Sequence, residues 1–540
     1  MTTSRRTVII GPPPTPNGDL HVGHIAGPYL AADVHARYLR TMGRPVLYAT
    51  GTDDSQTYVK ASAAKLGTTP AELAGRSWQQ IRSTLDLMGI AVDGYAPFDE
   101  GYRASVLDFA HRLHEAGQFE LRTVRLPWSV RTEEFLVEGL VSGGCPICLA
   151  VSRGGLCESC GHPNNFDELI DPKSTVHPHD EVVTKEARIL VLPLERYREQ
   201  LTAFYQDKQA TWRPHITQLM RELLAKPLPD FPITYPVSWG IPAPFPETPG
   251  QVFNAWFEGM PASMYCTEVA QRSNGEKPAA TDELWRAEAD SSIVYFLGFD
   301  NAYFWGVTHL ALLLAHGGRY AVPDVIVPNE FYELENEKFS TSKGHVVWTK
   351  DLLAEVPRDL VRFYLALTAP EHSRTNFSRA VLDKVTSTRL VQPWNALAAL
   401  LDKGAAETGA GGRALPVSVE ARNRCAAITA RFAAGYELTG FSLGRAADLI
   451  AMHIERLLES ARATSFPAGE EGEQALGDLY AEVAVLIAAA SPILIDLAQA
   501  AAEAGADPGG FRAAPQTVRA FAVPSLGEIT SSGGKACMSP

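Results

Sequence analysis

Thr7-Val-Ile-Ile-Gly-Pro-Pro-Pro-Thr-Pro-Asn-Gly-Asp-Leu-His-Val-Gly-His24 is the stretch on which the reading of this chain turns. A short apolar run ends in a turn rich in Pro and Gly. Two histidines three residues apart then sit where a helix begins, with Leu30, Val34 and Tyr38 on one of its faces. Strand, turn and helix N-terminus in that order make a place built to receive an anion. Gly23 lets a flat ligand approach the backbone, and the imidazoles of His21 and His24 can donate hydrogen bonds to phosphate oxygens as charge develops. A second anion-binding segment, Glu337-Lys-Phe-Ser-Thr-Ser-Lys-Gly344, follows over three hundred residues later.

Composition sets the bounds. With 540 residues, 46% hydrophobic and 20% charged, the chain has material for a large core and three or four domains. Met1-Thr-Thr-Ser-Arg-Arg6 runs directly into the first strand, and no apolar run reaches membrane-spanning length, so a soluble cytoplasmic protein is expected. A formal charge of −14 argues against a broadly basic nucleic-acid binder, while leaving room for a local RNA-binding patch.

Four of the seven cysteines fall in one cluster, which in a cytosolic chain points to a metal rather than to disulfides. Cys145-Pro-Ile-Cys148 and Cys157-Glu-Ser-Cys160 are two C-x-x-C knuckles, each able to present two thiolates to one tetrahedral Zn²⁺. Four thiolates fill the coordination shell, so the site is expected to be structural. A redox dithiol is the competing reading. Gly154, Gly155 and Gly161 allow the tight backbone such knuckles need, and His162, His177 and His179 read as ordinary surface or loop residues.

Taken together, these segments resemble the class I aminoacyl-tRNA synthetases, and among them the methionyl group. His21-Val-Gly-His24 is similar to the family's HIGH signature and Lys338-Phe-Ser-Thr-Ser342 to its KMSKS loop; the resemblance runs from about Val8 to about Ala504. It implies an α/β fold: a doubly wound parallel nucleotide-binding catalytic domain (Rossmann-like, HUP) with a zinc-knuckle insertion, followed by an all-α helical bundle. The expected segments are 1–118 and 236–330 for the catalytic halves, 119–235 for the insertion with its knuckle at 145–160, 331–378 for the KMSKS-like loop and stem-contact region, 379–520 for the bundle and 521–540 for a flexible tail.

The resemblance also implies a reaction: an amino-acid carboxylate joins the α-phosphate of ATP, with Mg²⁺, giving aminoacyl-adenylate and pyrophosphate. His21, His24, Lys338 and Lys343 would then act on the phosphates, with Asn17, Gly23, Gly298, Ser340 and Ser342 around the nucleotide. Asp300 would hold the ribose hydroxyls, and Asp53 the substrate's α-ammonium group, with helix capping as the plain alternative for each aspartate. Pro13, Thr15, Trp256, Asn301 and Trp305 would line the amino-acid pocket.

Several positions depart from the family pattern. Thr341 stands where the second lysine of the loop is usual, with Lys343 two residues on, and Tyr235-Pro236 replaces an Arg-Asp pair. Pro12-Pro13-Pro14-Thr15 replaces an Ala-Leu-Pro-Tyr run, Trp305 replaces a pocket histidine and Asn301 an aliphatic residue, which points to a smaller amino acid than methionine. From about residue 379 the composition turns to Ala, Leu and Arg with helical periodicity, broken at 404–416 and 467–473, and 14 basic against 17 acidic residues leave a charge of −3. Asn395 matches one anticodon reader, but Ala399 replaces the arginine and Ala463 the stacking tryptophan, a contact type that contributes about 1–3 kcal/mol per base. The expectation is therefore a divergent paralogue that activates a non-methionine amino acid and passes it to a small amine or hydroxylamine in specialised metabolism. The alternative is a methionine–tRNA ligase charging tRNA. A third reading, an inactive tRNA-binding module, is opposed by intact His21, His24, Asp53, Asp300 and Lys338. The Ser/Gly-rich tail from Pro524 is expected to be disordered.

Overall fold

Val8, Ile9 and Ile10 are almost wholly buried because strands flank them on both sides. The computed structural model describes residues 5–208, 212–339, 344–410, 412–506 and 515–527. Strands β1 (Arg6–Ile10), β2 (Val46–Thr50), β3 (Gly94–Tyr95), β4 (Ser291–Gly298) and β5 (Val325–Asn329) form one sheet in the order β5-β4-β1-β2-β3. All its pairings are parallel, with Ile10 set between Tyr295 and Ala49. Near-continuous apolar runs such as Ile293–Leu297 are what a sheet covered on both faces requires. The strand order reverses between β1 and β4, and open parallel sheets of this kind bind ligands outside the carboxyl ends of the strands at that reversal. The loop 11–19, the segment 51–54 and the turn Phe299–Asn301 emerge from those ends.

The contacts divide the chain into two units. The first comprises Met1–Asp19, Pro45–Ser83 and Ala91–Glu330, and holds the parallel sheet and the insertion. The insertion is built on two long antiparallel strands, Glu120–Ser129 and Val182–Pro193, paired over ten residues and flanked by Glu134–Phe135 and Asp230–Pro232. The helix Ala255–Ser273 returns the chain towards β4 and packs so closely on β3 that a β-carbon at Gly94 would lie 2.4 Å from the Ala270 nitrogen.

The second unit comprises Leu20–Arg44, Thr84–Ile90 and Phe331–Pro540. Its body is helical: Leu30–Thr41, Arg358–Leu367, Gln392–Glu407, Val419–Tyr436, Leu443–Ala463, Glu470–Ala490 and Ile495–Glu503. One expectation about this region, and the described part of another, need correction. The helix from Gln392 does not break at Gly404 but runs through it, because the missing side chain makes room for Phe466 and Leu476. The described start of the tail, Pro524 to Gly527, is held by hydrogen bonds, and the rest of that expectation, 528–540, lies outside the described residues. Thr517–Arg519 pairs with Ala414–Pro416, and the Trp394 Nε1–H donates to the Pro524 carbonyl at 2.8 Å. Leu526 exchanges two hydrogen bonds with the Asn395 amide, at 2.8 and 3.1 Å. Among the described residues no helix is long and apolar enough to cross a membrane.

Candidate active site

The predicted site residues divide between the two units. In the second unit, Leu20 and Val22 pair with the segment that follows the KMSKS-like loop: the Val22 N–H donates to Val347 at 3.0 Å, and the Thr349 N–H to Leu20 at 3.2 Å. This ladder fixes the entry to the helix bearing the histidines. The His21 and His24 rings stack at 3.7 Å, and the His21 N–H donates to His24 Nδ1 at 3.2 Å. On the other face of His21 lies the ring of Phe339, nearly parallel at 4.6 Å. Gly23 permits this approach, since a β-carbon there would sit 3.0 Å from the Phe339 ring. Two segments more than three hundred residues apart are thus stapled by backbone bonds and one aromatic contact.

The electrostatics of the pair suit an anion. Burial is the main reason that the His21 pKa falls to about 2 and the His24 pKa to about 4, with the Lys338 ammonium adding to both shifts. Both rings are neutral at neutral pH and so present N–H donors without the hydration shell of a cation. His21 Nδ1 is buried without a hydrogen-bond partner. Lys338 is exposed, its ammonium 5.2 Å from the Phe331 ring centre. Ser340, Thr341, Ser342 and Lys343 lie outside the described residues.

In the first unit, the loop after β1 and the end of β2 are joined by the Asp53 N–H, which donates to the Pro14 carbonyl at 3.1 Å. Pro13 and Thr15 are half-buried in this loop, and Asn17 is exposed at its turn. Asp53 is not a helix cap. One oxygen accepts from the Gln56 amide at 2.7 Å, the other is buried without a partner, and Gln56 is itself the cap residue of the helix Thr57–Leu66. Burial raises the Asp53 pKa to about 7. Its neighbour Asp54 is raised to about 6, also by burial. Asp300 follows β4; its Oδ1 accepts from the Asn301 amide at 3.1 Å and lies where a β-carbon of Gly298 would stand, 2.5 Å away. Glycine at 298 is thus a requirement of the Asp300 rotamer.

Trp256 stacks on Phe304 with centroids 3.8 Å apart and planes 8° from parallel. Trp305 is 3% exposed, edge-on to Tyr295 at 4.9 Å and 4.8 Å from His309, whose Nε2 bonds the Trp256 carbonyl at 2.8 Å. The indole therefore fills core volume behind the Trp256–Phe304 pair.

Two residues of this region escaped the sequence reading. Phe339 carried no signal apart from its place beside Lys338. Glu258, on the helix Ala255–Ser273, is fully buried, with neither carboxylate oxygen in a hydrogen bond, and burial drives its pKa well above the usual range.

The four knuckle thiols converge. All lie within 4.8 Å of one another, with Cys145 and Cys160 at 3.9 Å and Cys148 and Cys157 at 3.6 Å. A tetrahedral zinc with four Zn–S bonds of about 2.3 Å has S–S edges of about 3.8 Å, close to both of those separations, so the donor set suits that ion. The His162 ring bonds the Cys160 carbonyl, which accounts for it outside the ligand set.

The family pattern described as tRNA synthetases class I (M) matches residues 7–399. The chain is 31% identical over 380 residues to the methionine–tRNA ligase of Porphyromonas gingivalis, an alignment covering 69% of this chain and 54% of that protein. It is likewise 31% identical over 388 residues to that of Chlorobium limicola, with the same coverage. The chain thus spans about half the length of the curated relatives it matches. Among solved structures, the methionyl-tRNA synthetase of Mycobacterium tuberculosis bound by methionyl-adenylate superposes with a TM-score of 0.71 at 19% identity. That match covers 96% of this chain and 100% of the other, and at such identity it is a likeness of fold.

Proposed function

Since the chain belongs to the class I aminoacyl-tRNA synthetases of methionyl type, we propose that it activates an amino acid with ATP, forming aminoacyl-adenylate and pyrophosphate. The observation that carries this reading is the staple between the two phosphate segments: a His21–His24 stack lying on Phe339, next to Lys338. Neutral, desolvated N–H donors held rigid before reaction suit charge that appears in the transition state. In this reading His21, His24, Lys338 and Lys343 act on the phosphates, with Asn17, Gly23, Gly298, Ser340 and Ser342 around the nucleotide. Asp300 takes the ribose hydroxyls and Asp53 the α-ammonium, whose arrival would draw the raised Asp53 pKa down again. Pro13, Thr15, Trp256, Asn301 and Trp305 border the side chain. Mg²⁺ would arrive with ATP and offset phosphate charge. Cys145, Cys148, Cys157 and Cys160 would hold a structural zinc. The six sequence-defined segments serve as the working division of labour along the chain.

The relatives' names favour methionine as the amino acid and tRNA as the acceptor. Two observations favour a second reading, a smaller amino acid passed to a small amine or hydroxylamine: Trp305 fills the volume behind Trp256, and the Asn395 amide is already bonded to Leu526. Pyrophosphate exchange over a panel of amino acids tests the common premise, and silence across the panel would overturn it. Attachment of methionine to total tRNA then separates the readings. Robust charging is the outcome of the first, whereas exchange with a smaller amino acid and no charging is that of the second.

A further inference from the structure

The insertion, together with Asn254, Tyr303 and Phe304, lines a cavity of about 740 Å³. Its volume lies within the roughly 300–1,000 Å³ of sites for small organic molecules. Phe166, Tyr235 and Phe304, all buried, supply apolar walls, and the edge of the strand Glu120–Ser129 around Val124 supplies another. Some charged groups at its border are matched to one another: Arg122 pairs with Asp230, and Glu222 faces the His162 ring at 3.4 Å.

Glu138 is different. Seven described residues other than glycine have a positive φ; six are exposed, while Glu138, at φ 46°, is buried. Among the described residues no cation pairs with its carboxylate, and the nearby Thr57 hydroxyl only partly offsets the burial that raises its pKa to about 8. A buried ionisable side chain held in an unfavourable backbone region is commonly maintained for function. An oxygen without a hydrogen-bond partner lines the same cavity. Asn164 is 8% exposed, and its Oδ1 has no hydrogen-bond partner. Asn164 sits across a short hairpin from Gly155, and a β-carbon at Gly155 would lie 4.0 Å from Glu138 Cγ. The two oxygen acceptors therefore border one end of an aromatic-walled space.

We propose that this cavity binds a small amphipathic primary amine, its ammonium held by Glu138 and Asn164 and its apolar body by Phe166, Tyr235 and Phe304. An ammonium supplies the donor that the Asn164 oxygen lacks and the positive charge that Glu138 lacks, and a neutral or anionic ligand would leave the Glu138 charge uncompensated.

Calorimetric titration of the full chain, without ATP or amino acid, tests this with benzylamine and with benzyl alcohol, which has the same shape and no charge. Benzylamine is expected to saturate a single site, with benzyl alcohol about tenfold weaker or more, the usual scale for losing a charge-assisted hydrogen bond. Glu138→Gln should weaken benzylamine by a similar factor and leave benzyl alcohol unchanged. Val124→Trp, which fills the cavity from its strand edge, should abolish binding of both. Equal affinities for the two probes, benzylamine binding that survives Val124→Trp, or no saturable binding would each overturn the assignment.

Discussion

Two groups of buried charge in this protein look alike in sequence and are opposite in physics. Within the second unit, Arg362 and Asp33 are both fully buried and meet at 2.6 Å. The remaining reach of the guanidinium is used on the carbonyls of Ile493, Met88 and Pro492, at 2.9, 3.0 and 2.7 Å, and Arg37 adds a second donor to Asp33. Within the first unit, Glu138 and Glu258 are also buried and Asp53 is half-buried with one oxygen out of solvent, yet no cation stands beside them among the described residues. One oxygen of Asp53 and both of Glu258 lack hydrogen bonds. A satisfied buried network holds a fold together, whereas an unsatisfied one persists only if something else requires it. The first node is therefore architecture, and the second group is what the ligands proposed above would complete.

The sharpest way to break that comparison is to remove one partner from the satisfied node. Arg362→Leu leaves Asp33 without its most buried cation and four backbone or carboxylate acceptors without their donor, and breaking such a pair costs about 3–5 kcal/mol. Urea unfolding followed through the helical signal should show that loss. A loss below 1 kcal/mol would mean that the node is dispensable. The histidine pair belongs with the second group, because His21 Nδ1 is buried and unmet. His24→Ala should depress pyrophosphate exchange by about 10²–10³-fold, the scale for one preorganised donor, while leaving the unfolding midpoint nearly in place. A large fall in stability with a small fall in exchange would reverse the classification.

What could be read in the sequence follows the same line. His21-Val-Gly-His24, the KMSKS-like segment and the paired C-x-x-C knuckles were legible because each is a local spacing with a specific chemical use. The parallel sheet was legible because β1, β4 and β5 are short apolar runs ending in turn residues. Asp33 and Arg362 were not, since each reads as an ordinary charge on an amphipathic helix, and 329 residues separate them. The contact between Phe339 and His21 and the capture of Asn395 by Leu526 depend on chain paths that no periodicity encodes. Glu138 and Glu258 gave no signal either, because a lone acid in sequence does not reveal burial.

The comparison can be sharpened through protons. In the unfolded chain, aspartates and glutamates lose their protons near 4, but in the folded chain Asp54, Asp53 and Glu138 keep theirs to about 6, 7 and 8, and Glu258 keeps its proton well above its ordinary value. The folded state therefore binds more protons than the unfolded state above pH about 4, so stability must fall as pH rises through this window, by about 1.4 kcal/mol per pH unit for each full proton of difference. Glu258→Gln cannot ionise and keeps the shape, so its contribution to that slope disappears. Urea unfolding of both chains between pH 5 and 8 should give a shallower decline for the variant, by up to about 1.4 kcal/mol per pH unit, with the variant the more stable at the alkaline end. Parallel curves would show that Glu258 has partners in solution and does not belong with the unmet acids. A ligand ammonium at Asp53 acts in the same direction as the substitution, since it stabilises the ionised carboxylate. Adding the activated amino acid should therefore flatten the remaining slope of the wild-type chain near pH 7, and an uncharged analogue lacking the amine should leave it as it was.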